Sequence, residues 1–148
     1  MNWATLICNK AMQIAYDYEV KAGRNPEDFS HNGVGYDIQS KNQSEERWIE
    51  VKGVSERWNT YTWQAIHQTQ IKTLKEYPEK FWLYIIYFDI PKENRREEML
   101  NNIKPDIYII QGKDLLDRTK FRITEEAYRV SPIKGVSLKT QLQNFKQK

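Results

Sequence analysis

Gly33-Val34-Gly35-Tyr36-Asp37-Ile38-Gln39-Ser40, followed after a polar gap by Arg47-Trp48-Ile49-Glu50-Val51-Lys52-Gly53, contains two short segments that alternate apolar and polar residues. That alternation predicts two half-buried strands. Side chains alternate across a strand, so Trp48, Glu50 and Lys52 share one face and Ile49 and Val51 the other. The apolar pair can face a core, which turns the acid and the amine together to the opposite side. The wholly polar segment Lys41 to Glu46 suits a hairpin connection. Pairing the two strands through it brings Asp37 near Glu50, placing two carboxylates and one ammonium at a single spot.

Outward from this hairpin, residues 3 to 22 predict a helix. Trp3, Leu6, Ile7, Met12, Ile14, Ala15 and Val20 supply its apolar stripe, and Gly23 is its stop. Arg24 to Asn32 reads as a polar loop. A second helix is predicted from about Thr60 to Tyr77, closed by Pro78, with Trp63, Ile66, Ile71 and Leu74 on one face. Phe81 to Phe88 is the longest apolar run and predicts a central strand. The charged stretch Lys92 to Lys104 reads as a surface helix or excursion. Asp106 to Ile110 reads as a strand, and Phe121 to Val130 as a further strand or a short helix. This order predicts helices packed against a mixed sheet. With no internal repeat and no Gly/Ser-rich linker, one domain over residues 1–148 is expected, with its core at about 3–90 and additions at about 91–148.

Composition narrows the functional classes. Hydrophobic residues make up 39% and charged residues 29%, which argues against both disorder and a membrane-spanning chain. Cys8 is the only cysteine, so there is no disulfide framework and no thiolate zinc cluster, and a reducing, cytoplasmic location is the default expectation. The formal net charge is +3. Residues 118 to 148 contain eight Lys or Arg and two Asp or Glu, leaving the rest of the chain net negative by three. A basic C-terminal part can track a polyanion such as nucleic acid. Walker-type and Gly-x-Gly-x-x-Gly phosphate loops are both absent from the sequence.

The chemistry of the hairpin points to phosphodiester hydrolysis. Mg²⁺ prefers oxygen ligands and keeps several waters. Asp37, Glu50 and the Val51 carbonyl can hold it and leave places for a phosphate oxygen and a water. Lys52, one pleat beyond Glu50, can orient or deprotonate that water, or stabilise charge developing on the phosphate.

Asp37, twelve intervening residues, and then Glu50-Val51-Lys52 resembles the Asp…(Asp/Glu)-x-Lys signature of the PD-(D/E)xK nuclease superfamily. Gly35-Tyr36-Asp37-Ile38 and Ile49-Glu50-Val51-Lys52-Gly53 are most similar to the domain at the C-terminus of NO VEIN-type proteins. They also resemble archaeal Holliday-junction resolvases and Mrr-like restriction endonucleases. The resemblance covers roughly residues 3 to 90. It implies a three-layer α/β/α, restriction-endonuclease-like core with a central mixed sheet and an Mg²⁺ site in which Mn²⁺ can substitute. Asp37 and Glu50 would be metal ligands and Lys52 the catalytic lysine. Glu19 would be a further acid from the first helix, and Gln64 or Gln68 a polar residue from the following helix. Tyr36 stands where the family name has a proline.

The resulting expectation is a metal-dependent nuclease acting on DNA in restriction, defence or repair, as a homodimer or a subunit of a larger complex. The alternative is a non-cleaving nuclease-fold module that binds nucleic acid or a protein partner. Trp58, Tyr61 and Trp63 either stack on bases or pack beneath the lysine strand, with packing favoured. His67 and Arg57 are further candidates near the site.

Overall fold

The side chain of Asn2 accepts the Thr5 N–H at 2.9 Å and so opens the first helix, α1 (Trp3–Lys21). Gly23, at φ +82°, ends it with a left-handed residue that has no side chain to clash. Ile7, Ala11, Ala15, Tyr18 and Glu19 form the buried stripe of α1. The computed structural model describes residues 1–124 and 128–138.

Five strands make the main sheet: β1 (Asn25–Asp28), β2 (Ile38–Lys41), β3 (Glu46–Val54), β5 (Phe81–Tyr87) and β6 (Asp106–Gln111), in the order β1-β2-β3-β5-β6. Only β3 and β5 run parallel; the other neighbours are antiparallel. A parallel pair needs a long crossover. Residues 55–80 provide it and carry β4 (Gln64–Ala65) and the helix α2 (Gln68–Glu76).

The sheet divides two cores. Ile49, Val51, Tyr84, Ile86, Ile107 and Ile109 pack with Ile7, Ala11 and Ala15 of α1. Phe81, Leu83, Ile85, Tyr108 and Ile110 pack on the other side with Ile71 and Leu74 of α2. The expected α/β architecture, helices on both faces of a mixed sheet, is therefore present. The apolar run at Phe81 is the strand buried on both faces. At Gly53 the α1 layer sits close: a Cβ there would lie 2.8 Å from Ala11 Cβ and 2.8 Å from Ile7 Cγ2.

Four sequence expectations are corrected. The segment Gly33 to Ser40 is not a strand throughout; β2 begins at Ile38, because Gly33 (φ +65°) and Gly35 (φ +86°) adopt backbone outside the strand region. Arg24 to Asn32 is not all loop: Asn25–Asp28 forms β1, an edge strand in which only Pro26 is buried. Proline is tolerated at such an edge, and a polar edge strand leaves no apolar alternation to read. The second helix does not start at Thr60 but at Gln68, preceded by His67, whose N–H donates to Gln70 Oε1 at 2.9 Å. The Thr62 hydroxyl accepts from Asn59 N–H at 2.8 Å, which holds the residues before it as a turn.

Lastly, the described residues between 121 and 130 belong to two strands rather than to one strand or a helix. They contribute β7 (Phe121–Thr124) and the start of β8 (Arg129–Pro132), which join β4 in a second sheet ordered β4-β8-β7. The charged stretch contains a 3₁₀ turn at Lys92–Asn94 and the short helix α3 (Glu97–Asn102), whose Leu100 is buried. A four-residue helix, α4 (Gly112–Leu115), follows β6. No helix of the described residues is long and apolar enough to cross a membrane. The last part of the basic C-terminal segment, residues 139–148, lies outside the described residues.

Candidate active site

The β2–β3 register sets Ile38 opposite Ile49. One residue earlier, Asp37 stands opposite Glu50. Asp37 N–H donates to the Ile49 carbonyl at 2.8 Å, and Phe29 N–H donates to the Asp37 carbonyl at 2.7 Å. Both backbone groups of Asp37 are thereby fixed before β2 properly starts. Its carboxylate then does what the missing strand residue would have done: Oδ2 accepts the Val51 N–H at 2.9 Å. Gly35 closes the loop against α2, where a Cβ would lie 2.6 Å from Thr73 Oγ1 and 3.1 Å from the Thr69 carbonyl.

Ile49 and Val51 belong to the core on the α1 side. Alternation therefore turns Glu50 and Lys52 to the α2 side, beside their register partners Leu83 and Ile85. Lys52 Nζ lies 3.8 Å from Glu50 Oε1. Glu50 is only 3% exposed, and its Oε2 has no hydrogen-bond partner. Burial first, then the charge and hydrogen bonding of Asp37, push the Glu50 carboxyl up to about 9, although Lys52 pulls it down. Two carboxylates that close cannot both ionise comfortably in a dry site. A bound cation would relieve that repulsion.

The Val51 carbonyl lies on the same side of its strand as the Val51 N–H, so it faces the same gap. Asp37, Glu50 and Val51 also line a cavity of 640 Å³ at the edge of β3 that β2 leaves uncovered. Gln13 and Tyr16 of α1 form one wall, and Asp28 at the end of β1 with Ser30 and His31 beyond it form another. A hollow of 680 Å³ at the β2–β3 turn is lined by Gly23, Asn25 and residues 41–44 and holds no acid, histidine or cysteine.

The chemistry of the donor set fits a hard divalent cation. Two carboxylates and one carbonyl satisfy the few protein ligands Mg²⁺ requires, with waters and phosphate oxygens completing the shell. The orphaned Oε2 of Glu50 is the observation that favours it: of the six buried side-chain polar atoms without a partner among the described residues, it is the carboxylate oxygen. Among the described residues there is no cluster of three or more His, Cys, Asp and Glu side chains suited to a metal.

Glu19 is not brought to this cluster. It lies in α1, fully buried. Arg24 Nη2 donates to its Oε2 at 2.9 Å and Tyr84 hydroxyl donates to the same atom at 2.7 Å. Burial raises its carboxyl, but the hydrogen bonds from Arg24 and Tyr84 and the charges of Arg24 and Arg47 outweigh that and hold it below the ordinary range. A carboxylate so occupied is a structural anchor. It joins Arg24 to Glu45 at 2.8 Å, and Tyr84 to Arg47 at 2.8 Å, behind the sheet.

Gln68 is exposed in the first turn of α2, and Gln64 is half-buried in β4, not on a helix. His67 is exposed at the start of α2. Trp58 is packed in the α2-side core, its indole N–H donating to the Val130 carbonyl at 3.1 Å, whereas Tyr61 and Trp63 are exposed. The Arg57 guanidinium lies 5.6 Å from the Tyr87 ring centre. Asp28, Ser30 and His31 were not foreseen at the cavity, because a polar loop gives no periodic signal.

The family described as Protein NO VEIN, C-terminal, matches residues 8–100. The chain belongs to this family. No curated protein and no solved structure matches it. The NO VEIN C-terminal match takes in all of β1 to β5 and α2, and with them Asp37, Glu50, Val51 and Lys52. Strands β6, β7 and β8 lie beyond it, so the second sheet is completed by residues outside the family match.

Proposed function

We propose that this NO VEIN C-terminal domain is a metal-dependent nuclease that hydrolyses phosphodiester bonds in DNA. The observation that carries the reading is the pairing of Asp37 with a buried Glu50, one of whose oxygens has no partner, beside Lys52. Bound at Asp37, Glu50 and the Val51 carbonyl, Mg²⁺ or Mn²⁺ would polarise a phosphoryl group and acidify a water.

The chain's own residues have distinct tasks. Asp37 is held by three hydrogen bonds through its N–H, its carbonyl and Oδ2, so its carboxylate has a fixed direction. Glu50 is kept dry, which strengthens its attraction to a cation. The Lys52 ammonium, 22% exposed at the side chain, lies 3.8 Å from Glu50 Oε1. It is placed to balance charge as water oxygen bonds to phosphorus and the ester oxygen leaves and takes up a proton.

The test is incubation of supercoiled plasmid and branched DNA with Mg²⁺ or Mn²⁺. We expect cutting that EDTA abolishes and that Lys52→Met abolishes without unfolding. Metal-dependent cutting that survives in Lys52→Met and Glu50→Gln would overturn the reading. Specific DNA binding with no cutting on any substrate would return the alternative, a non-cleaving nucleic-acid-binding module.

A further inference from the structure

The second sheet has one packed and one open face. Val130 and Phe121 are buried in the core, Ile123 packs against it, and Gln64 pairs with Val130. Their neighbours point the other way. Arg129 stands opposite both Ala65 and Thr124, and Arg122 opposite Ser131, so all five share the open face. Trp63, two residues before Ala65, belongs to the same side. Its indole is 49% exposed, with the Arg129 guanidinium 4.2 Å from the ring centre. Tyr61, 83% exposed, lies just before it. Neither Arg122 nor Arg129 is paired with a carboxylate among the described residues.

We propose that this open face is a platform for unpaired nucleic acid, on which Trp63 stacks with a base while Arg122 and Arg129 meet phosphates. The proposal rests on the reading of the chain as acting on nucleic acid. The surface has the required parts: an exposed aromatic plane, a guanidinium already stacked against it, and two cations without a carboxylate partner among the described residues, separated by the small residues Ala65, Ser131 and Thr124. Every base has a π-face, so stacking tolerates any sequence. Duplex bases are already stacked, and an indole on a flat face cannot reach them. The strand β4 leads within three residues into α2, which packs on the sheet face of Leu83 and Ile85, the register partners of Glu50 and Lys52, while the cavity that Asp37 and Glu50 line is walled by α1. An acidic peptide would use the arginines but leave the indole without a role.

The test is fluorescence anisotropy of a labelled oligothymidine with the full chain in EDTA, which separates binding from cutting. Stacking is worth about 1–3 kcal/mol per base, so Trp63→Ala should weaken binding by roughly tenfold. Arg122→Ser with Arg129→Ser should reduce the slope of log K against log salt by about 1.4, at ~0.7 per single-strand phosphate contact. Lys21→Ser, at the far end of α1, should change neither, and unlabelled duplex should compete poorly. Absent binding by the wild-type chain, unchanged affinity and slope in the variants, or equal competition by duplex would each overturn the proposal. If the variants bind as wild type while plasmid is still cut with metal, the platform fails and the nuclease reading stands. If the variants lose binding while no substrate is ever cut, the platform stands and the nuclease reading fails.

Discussion

Glu50→Gln should stabilise the metal-free protein and flatten its stability against pH. In the folded chain Glu50 keeps its proton up to about 9, against 4.5 for the unconstrained group. Between those values the native state binds a proton that the unfolded chain has released. Stability therefore falls as pH rises through that window, by up to about 1.4 kcal/mol per pH unit for one proton. From pH 6 to pH 8 the upper limit is about 3 kcal/mol, reduced by whatever relaxation lets water reach the carboxylate. For a chain of this size that corresponds to a fall of up to roughly 10 °C in Tm. Glutamine keeps the shape of the protonated acid and cannot ionise, so the variant should lack this component. The assay is thermal or urea unfolding of both proteins in EDTA at half-unit steps from pH 6 to 8.5. Parallel curves for wild type and Glu50→Gln would refute the reasoning, because they would mean that Glu50 is ionised in the native state without a cation.

Three further outcomes follow from the packing and the hydrogen bonds. Gly53→Val should cost about 1–3 kcal/mol or more by forcing α1 off β3, since a Cβ there already overlaps Ala11 and Ile7; urea midpoints measure it, and a change below half a kcal/mol would contradict it. Tyr84→Phe should cost about 1.5–3 kcal/mol by removing the hydroxyl that Glu19 accepts from, yet leave Mn²⁺ affinity unchanged, because Glu19 stands apart from Glu50. Gly35→Ala should reduce metal-dependent cutting more than global stability, since its Cβ would collide with Thr73 and displace the loop that carries Asp37; equal cutting in the variant would show that the loop tolerates the shift.

Much of the site was legible because period-2 alternation constrains strands strongly. Once Ile49 and Val51 face a core, Glu50 and Lys52 have no choice of side, and the register follows from the polar turn at 41–46. The twin apolar faces of β5 were equally plain in Phe81 to Phe88. Glu19 is tied up for a physical reason: α1 borders the cavity through Gln13 and Tyr16, but a helix position alone does not say that Glu19 itself turns into the core. The same α1 stripe that buries Ala11 and Ala15 buries Glu19, and only the structure shows Arg24 and Tyr84 occupying its oxygens. β1 was invisible because its only buried side chain is proline. The second sheet was missed because its strands are four residues or fewer and β4 pairs with β8 across more than sixty residues of sequence, Gln64 with Val130. Short strands of that kind draw their stability from partners, which a local pattern does not record.

The central claim is that Asp37 and Glu50 together hold one divalent cation. Isothermal titration of Mn²⁺ into the wild-type chain, Asp37→Asn, Glu50→Gln and Lys52→Met at pH 7.5, in buffers of different ionisation heat, tests it most directly. The account predicts one site in the wild type with release of a proton, loss of that site in Asp37→Asn and Glu50→Gln, and its retention in Lys52→Met. Absence of a site in the wild type, or equal binding in the two acid variants, would contradict it.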